Sequence, residues 1–247
     1  MSIAIGIVSW FPNKEPARGQ RIARIKRLFK QIEELFPSFP IIVIAQDWNG
    51  FMPNISNPMH IYQYGRLGIL NARKELRKKF LELNYDYIIM FDDDAIISCE
   101  NENDLKEYIQ RINDNPQGFA FCKTHSPEKN DSPYNPYCDS QLNLCAVSRY
   151  IYGLEDIPDV NPQNSVAYED RLFSMLLHIK YADKEFDVPD GLKCIHFRNK
   201  SKPLPSTWAN SKKCNWWALD KNTIAIEKYI CDNKDLPENI ENFLEML

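Results

Sequence analysis

Short apolar runs alternate along this chain with longer stretches in which apolar residues recur every third or fourth position. "SIAIGIVSW" (2–10) is a β-branched run followed by Pro12 and reads as a buried strand. Between residues 18 and 36, Ile22, Ile25, Leu28, Phe29, Ile32 and Leu35 fall at helical spacing. "FPIIVIAQD" (39–47) predicts a second buried strand and "MHIYQY" (59–64) a short third one. "LGILNARKELRKKFLEL" (67–83) has no Pro, has Gly only near its start, and predicts a second helix. "DYIIMF" (86–91) predicts a fourth strand, "NENDLKEYIQRIN" (101–113) a capped helix and "GFAFCKT" (118–124) a fifth strand. This alternation implies a largely parallel sheet covered by helices on both faces. In such sheets ligands bind at the carboxyl ends of the strands.

The pattern then changes. "HSPEKNDSPYNPYCDS" (125–140) is rich in Pro, Asn, Asp and Ser and predicts a surface loop over the site. "QLNLCAVS" (141–148) predicts another strand, and "YEDRLFSMLLHIKY" (168–181) a helix that opens on two acids. "KCIHFRNKSKPLPSTW" (193–208) reads as a short strand running into a basic, Pro-rich loop. The tail from Leu219 predicts two helical pieces broken near Pro237.

Composition narrows the function classes. With 247 residues, 44% hydrophobic and 26% charged, the chain is long enough to bury a core. A net charge of -4 gives no support to nucleic-acid binding. The 7 Cys form no C-x-x-C pair and are odd in number, which argues against zinc and against a disulfide framework. Free thiols point to a reducing compartment and a cytoplasmic location. No apolar run reaches the ~18–20 residues of a membrane span. The opening residues lack a basic n-region and read as a strand rather than a signal peptide.

The chemistry begins at "DYIIMFDDDAII" (86–97), where Asp92, Asp93 and Asp94 end an apolar run. Unpaired, the three would repel each other and lose hydration. Extended backbone would point Asp92 and Asp94 the same way and turn Asp93 aside. Two carboxylates and a few waters can hold Mg²⁺ or Mn²⁺ while nucleotide phosphates supply the remaining oxygens. The plainer reading is a polar loop of solvated acids.

Four segments, in this order, carry a resemblance. "GRLGILNARKEL" (65–76) resembles the G-x-x-x-A-R-N helix start, "YIIMFDDDAII" the D-x-D segment, "YEDRLF" (168–173) the E-D helix start and "CIHFR" (194–198) the late His-bearing strand of nucleotide-sugar-dependent glycosyltransferases of the GT-A fold. The match is to the inverting family-2-type members and runs over about residues 2–200. "SWFPNKEPARGQR" departs from the usual P-T-Y-N-R after the first strand, and the Q-x-x-R-W motif of processive synthases is absent.

The resemblance implies an α/β, Rossmann-like GT-A fold: a mostly parallel central sheet flanked by helices, a smaller acceptor-side part and C-terminal helices. Residues 1–124 would form the nucleotide-sugar-binding half, 125–208 the acceptor-binding and catalytic half, and 209–247 a C-terminal helical extension. It implies donor contacts from Ser9, Arg73, Asp92, Asp93 and Arg198. It implies Mn²⁺ (or Mg²⁺) held by Asp94 with Asp92 and His196. Asp170 would be the general base of an inverting transfer. Glu169 and Trp208 would contact the acceptor. The partners would be a nucleotide-sugar donor, UDP-linked, and a glycan or other hydroxyl acceptor. Each residue has a plainer role as well. Acids are favoured at helix starts, a lone His in a strand is usually structural, and basic residues past a strand serve solubility. Arg18 and Arg21 could face phosphate or simply follow the amphipathic pattern. A retaining transferase or a non-catalytic domain of the same fold would share these residues.

Overall fold

The structure is a computed structural model. It describes residues 1–122, 142–157 and 169–196, with the backbone alone for Glu169, Asp170, Arg171, Leu172, Met175, Ile179, Ile195 and His196. In chain order the elements are β1 (Ile3–Trp10), α1 (Ala17–Leu35), β2 (Ile41–Gln46), β3 (Met59–Tyr64), α2 (Ile69–Leu83), β4 (Tyr87–Asp92), β5 (Ala95–Cys99), α3 (Glu102–Asp114), β6 (Phe119–Ala120), β7 (Cys145–Ser148), α4 (Arg149–Leu154), α5 (Glu169–Lys180) and β8 (Leu192–His196).

The main sheet has six strands in the order β3-β2-β1-β4-β7-β6. β3, β2, β1 and β4 are parallel, while β7 runs antiparallel to both β4 and β6. A separate two-stranded sheet pairs β5 with β8 antiparallel. The mixed α/β architecture and mainly parallel sheet agree with the sequence pattern.

Side chains alternate cleanly across the central strands, so each strand is buried on both faces. Ile5 and Ile7 of β1, Val43 of β2 and Ile89 and Phe91 of β4 join Ile25, Leu28, Phe29 and Ile32 of α1 on one face. Ala4 and Val8, Ile42 and Ile44, and Ile88 and Met90 join Leu76 and Phe80 of α2 on the other. Gly6 points to the α2 face. A Cβ there would lie 2.5 Å from Ile88 Cδ1 and 3.0 Å from Leu76 Cδ2, so the missing side chain lets α2 settle close to the sheet.

Some elements differ from the sequence expectation. Among the described residues, the expected strand over 118–124 pairs at Phe119–Ala120 and the one over 141–148 at Cys145–Ser148. β5 and the short helix α4 were not anticipated. β5 follows directly on the acidic triplet, whose Asp93 and Asp94 form a two-residue turn, and its Ala95 and Ile97 are buried while Ile96 and Ser98 are partly exposed. That alternation was present in "AIIS", hidden by the continuous apolar run before it. Cys99, Cys145 and Cys194 carry free thiols, as expected. Among the described residues no helix is long and apolar enough to cross a membrane.

Candidate functional site

β1 lies between β2 and β4, and the strand order reverses direction at the β1–β4 boundary. Such a switch point opens a crevice at the carboxyl ends of the strands. Val8 is in register with Asp92, so Ser9 and Trp10 stand beside the acidic triplet there.

Asp93 is buried and tied to three donors. Its Oδ2 accepts from Ser9 Oγ at 2.8 Å and the Trp10 backbone N–H at 3.3 Å. Its Oδ1 accepts from Arg21 Nη1 at 2.6 Å. Trp48 Nε1 in turn donates to Ser9 Oγ at 3.1 Å, and its ring stacks on Phe11 at 5.2 Å. Burial pushes the Asp93 carboxyl up from its ordinary value, against the pull of Arg21. Asp93 in turn raises the Arg21 guanidinium, against the cost of its own burial.

Asp92 and Asp94 have different surroundings. Arg73 Nη2 donates to Asp92 Oδ1 at 2.8 Å, and Asn143 Nδ2 to Asp92 Oδ2 at 2.8 Å. The Asp92 backbone N–H donates back to Asn143 Oδ1 at 2.7 Å. Asp94 faces Arg24 at 3.5 Å and Arg21 at 3.9 Å. Desolvation lowers the Arg24 guanidinium from its ordinary value, and Asp94 opposes this. The three carboxylates thus meet guanidiniums from α1 and α2, which offsets their mutual repulsion.

Asp93 is buried, while Asp92 and Asp94 are both partly exposed. β4 ends at Asp92, and Asp93 and Asp94 form a turn before β5. The alternation of burial nevertheless runs on through the triplet into β5. Asp93 and Asp94 share Arg21, whereas Asp92 engages Arg73 and Asn143.

Local sequence explains how the arginines arrive. Gln46, at the end of β2, accepts from the backbone N–H groups of Leu67 and Gly68 at 2.8 and 3.0 Å. This anchors the start of α2. Gly68 sits at φ 80°, a left-handed conformation that favours glycine. Arg73, one turn into α2, is thereby held under β4 with only 4% exposure. On α1, Arg21 and Arg24 are three residues apart and share a face. Arg18 does not follow the phosphate-facing alternative: it donates to the Asp47 and Trp48 carbonyls at 3.1 and 2.7 Å.

Ser9, Arg73, Asp92, Asp93 and Asp94 are thus brought to one edge. His196 reaches the same neighbourhood through the backbone: β8 pairs with β5 so that His196 is opposite Ala95, the residue after Asp94. Glu169 and Asp170 open α5, whose Phe173 stacks on Tyr152 at 5.5 Å. Arg198, Trp208 and the loop 125–140 lie outside the described residues. Among the described residues, no group of three or more His, Cys, Asp or Glu side chains is arranged to hold a metal ion. Sequence reasoning missed Arg24, Asn143 and Gln46. Asn143 had a signal, a polar residue between Leu142 and Leu144 in an apolar run, and it is fully buried.

No protein-family model and no curated protein sequence matches this chain. Solved structures do. Residues 1-349 of TarS from S. aureus match with a TM-score of 0.54 and 13% identity, over 78% of this chain and 60% of that one. TarS 1-349 in complex with UDP-GlcNAc matches with a TM-score of 0.56 and 13% identity, over 99% of this chain and 70% of that one. The chain thus spans well under the full length of these neighbours. At such identity the likeness is one of fold alone, a GT-A, Rossmann-like one.

Proposed function

We propose that this chain is a glycosyltransferase that moves a sugar from a nucleotide diphosphate donor, UDP-linked, to a hydroxyl of a glycan or other acceptor. The observation that carries this reading is the gathering of Ser9, Arg73 and the acidic triplet at the β1–β4 switch point of a GT-A-like sheet. The UDP-GlcNAc named with the TarS neighbour supports the donor class.

The donor lies across the carboxyl ends of β1 to β4. Asp92, held by Arg73 and Asn143, presents its partly exposed carboxylate to the ribose or to a bound water. Arg198 offsets charge on the leaving diphosphate. Asp170 accepts the proton of the acceptor hydroxyl as its oxygen bonds to the anomeric carbon. The bond from that carbon to the diphosphate breaks, and its electron pair leaves with the nucleotide. One such displacement inverts the anomeric centre. Glu169 and Trp208 orient the acceptor.

A divalent cation at Asp94 is what the resemblance implies; among the described residues no group of three or more His, Cys, Asp or Glu side chains is arranged for one, and Asp94 faces Arg24 and Arg21. His196 is adjacent in register, and an oxygen plus an imidazole nitrogen suits Mn²⁺ better than Mg²⁺. Asp94 and His196, with Asp92, would hold the ion, which when bound supplies Lewis-acid stabilisation of the leaving group.

Calorimetric titration with UDP, GDP and CMP, each with Mn²⁺ and with chelator, tests the reading. Binding of UDP alone among them, and only with Mn²⁺, is expected. Folded protein that binds none of the three nucleotides would make this a non-catalytic domain of the same fold.

A further inference from the structure

β4 and β6 both run antiparallel to β7, so Phe121 and Cys122, which follow β6, lie toward the carboxyl end of β4. Phe119 forms a parallel bridge to Glu185, and the segment from there into β8 encloses with Phe121 a cavity of about 470 Å³ that opens to solvent. The lining brings Phe121 and half-buried Phe186 together with Glu185, Asp187 and Asp190. Among the described residues its one basic member is Lys193, which donates to Glu100 Oε1 at 2.6 Å. The frame is fixed from behind. Glu185 Oε2 lies 2.8 Å from His178 Nδ1, His178 packs on the Phe119 and Phe121 rings, and Arg111 Nη1 donates to the Asp187 carbonyl at 2.9 Å. Ionised carboxylates only accept hydrogen bonds, and an aromatic ring takes apolar C–H groups; a carbohydrate offers hydroxyl donors and C–H faces together. The excess of negative charge disfavours an anionic ligand. Lys193 stands three residues before His196 in β8, hence about 10 Å along the strand from the position opposite Ala95. An oligosaccharide spans that distance and a monosaccharide does not.

We propose that this cavity is a subsite for an uncharged oligosaccharide acceptor, where it holds a sugar unit remote from the one that reacts. The inference rests on the transferase reading given above and narrows its acceptor to a neutral glycan. Binding of the remote unit supplies energy that positions the reacting hydroxyl at the switch point.

The test is the full chain probed over a concentration series on an array of neutral, phosphorylated and sulfated oligosaccharides of graded length, with UDP binding read separately by calorimetry. Wild type should be retained by neutral chains of more than one sugar and not by the anionic ones. Asp190→Lys, at an exposed position where folding tolerates it, should weaken that retention about fivefold or more, since it removes a hydrogen-bond acceptor. Phe186→Leu, which keeps an apolar side chain in place, should weaken it about threefold. Wild type that binds UDP but is retained by no glycan, or equally by anionic ones, overturns the subsite and leaves the transferase reading standing. So does either folded variant that is retained like wild type. Retention of neutral glycans without UDP binding overturns the transferase reading and leaves the cavity a glycan site. Absence of both overturns both.

Discussion

α1 and α2 reach the same acidic turn from opposite faces of the sheet, and they treat it differently. On the α1 face Asp93 is 5% exposed and spends its oxygens on Ser9, Trp10 and Arg21 beneath the Phe11–Trp48 stack. It ties β1 to β4. On the α2 face Arg73 is the buried partner, and the Asp92 carboxylate keeps 23% of its side chain at the surface. The difference separates a buried carboxylate that ties the strand ends together from one left partly exposed. Adjacent residues of one type thus differ in burial and in partners, with Arg21 shared by Asp93 and Asp94 and Arg73 on Asp92.

The contrast can be broken most sharply at Arg21. Arg21→Ala leaves the buried Asp93 without its cation and should cost about 3–5 kcal/mol, read as a lower urea midpoint. A loss within about 1 kcal/mol would mean that the pair does not hold β1 to β4. On the α2 face, Gly6→Ala forces Ile88 and Leu76 aside and should cost about 1–3 kcal/mol in the same assay. An unchanged midpoint would show that α2 has room to move out.

Asp94→Asn should leave stability within about 1 kcal/mol, because Asn keeps the size and hydrogen-bonding capacity of the side chain at this partly exposed position. Calorimetry should nevertheless show loss of Mn²⁺-dependent UDP binding, and retained binding would remove the cation from Asp94. The smallest effect belongs to the opposite edge of the sheet. There Asp86 accepts from the Ser2 backbone N–H and hydroxyl at 2.6 and 2.9 Å, which hold its carboxyl below the ordinary value. A depressed folded value stabilises above the unfolded value of about 4 and is lost as pH falls through the folded one. Thermal melts should show a small wild-type advantage over Asp86→Asn at neutral pH that shrinks in acid. An advantage that does not vary with pH would rule out this linkage.

Most of the scaffold was legible in the chain. β1, β2 and β4 are near-continuous apolar runs, and α1 and α2 carry helical spacing, so burial of these strands on both faces follows from composition and period alone. The acidic triplet was legible as an anomaly, a cluster of like charge ending a buried strand. Its partners were not. Arg21 and Arg24 lie about seventy residues earlier on a helix whose basic positions look like an ordinary solvated face, and Asn143 lies about fifty residues later. β5 escaped notice because its alternation was merged with the run before it.

The sequence by itself determined an alternating α/β chain with a mainly parallel sheet, and the edge at which polar chemistry collects. Those features depend on local period and hydrophobicity, which any window of the chain carries. Only the tertiary structure decided which carboxylate is buried and which is presented, and it set β8 beside β5 so that His196 stands next to the triplet. The reason is that ion pairing and strand register depend on distance in space. Two helices from opposite faces of the sheet, and a strand about a hundred residues away, meet at this turn only when the chain is folded.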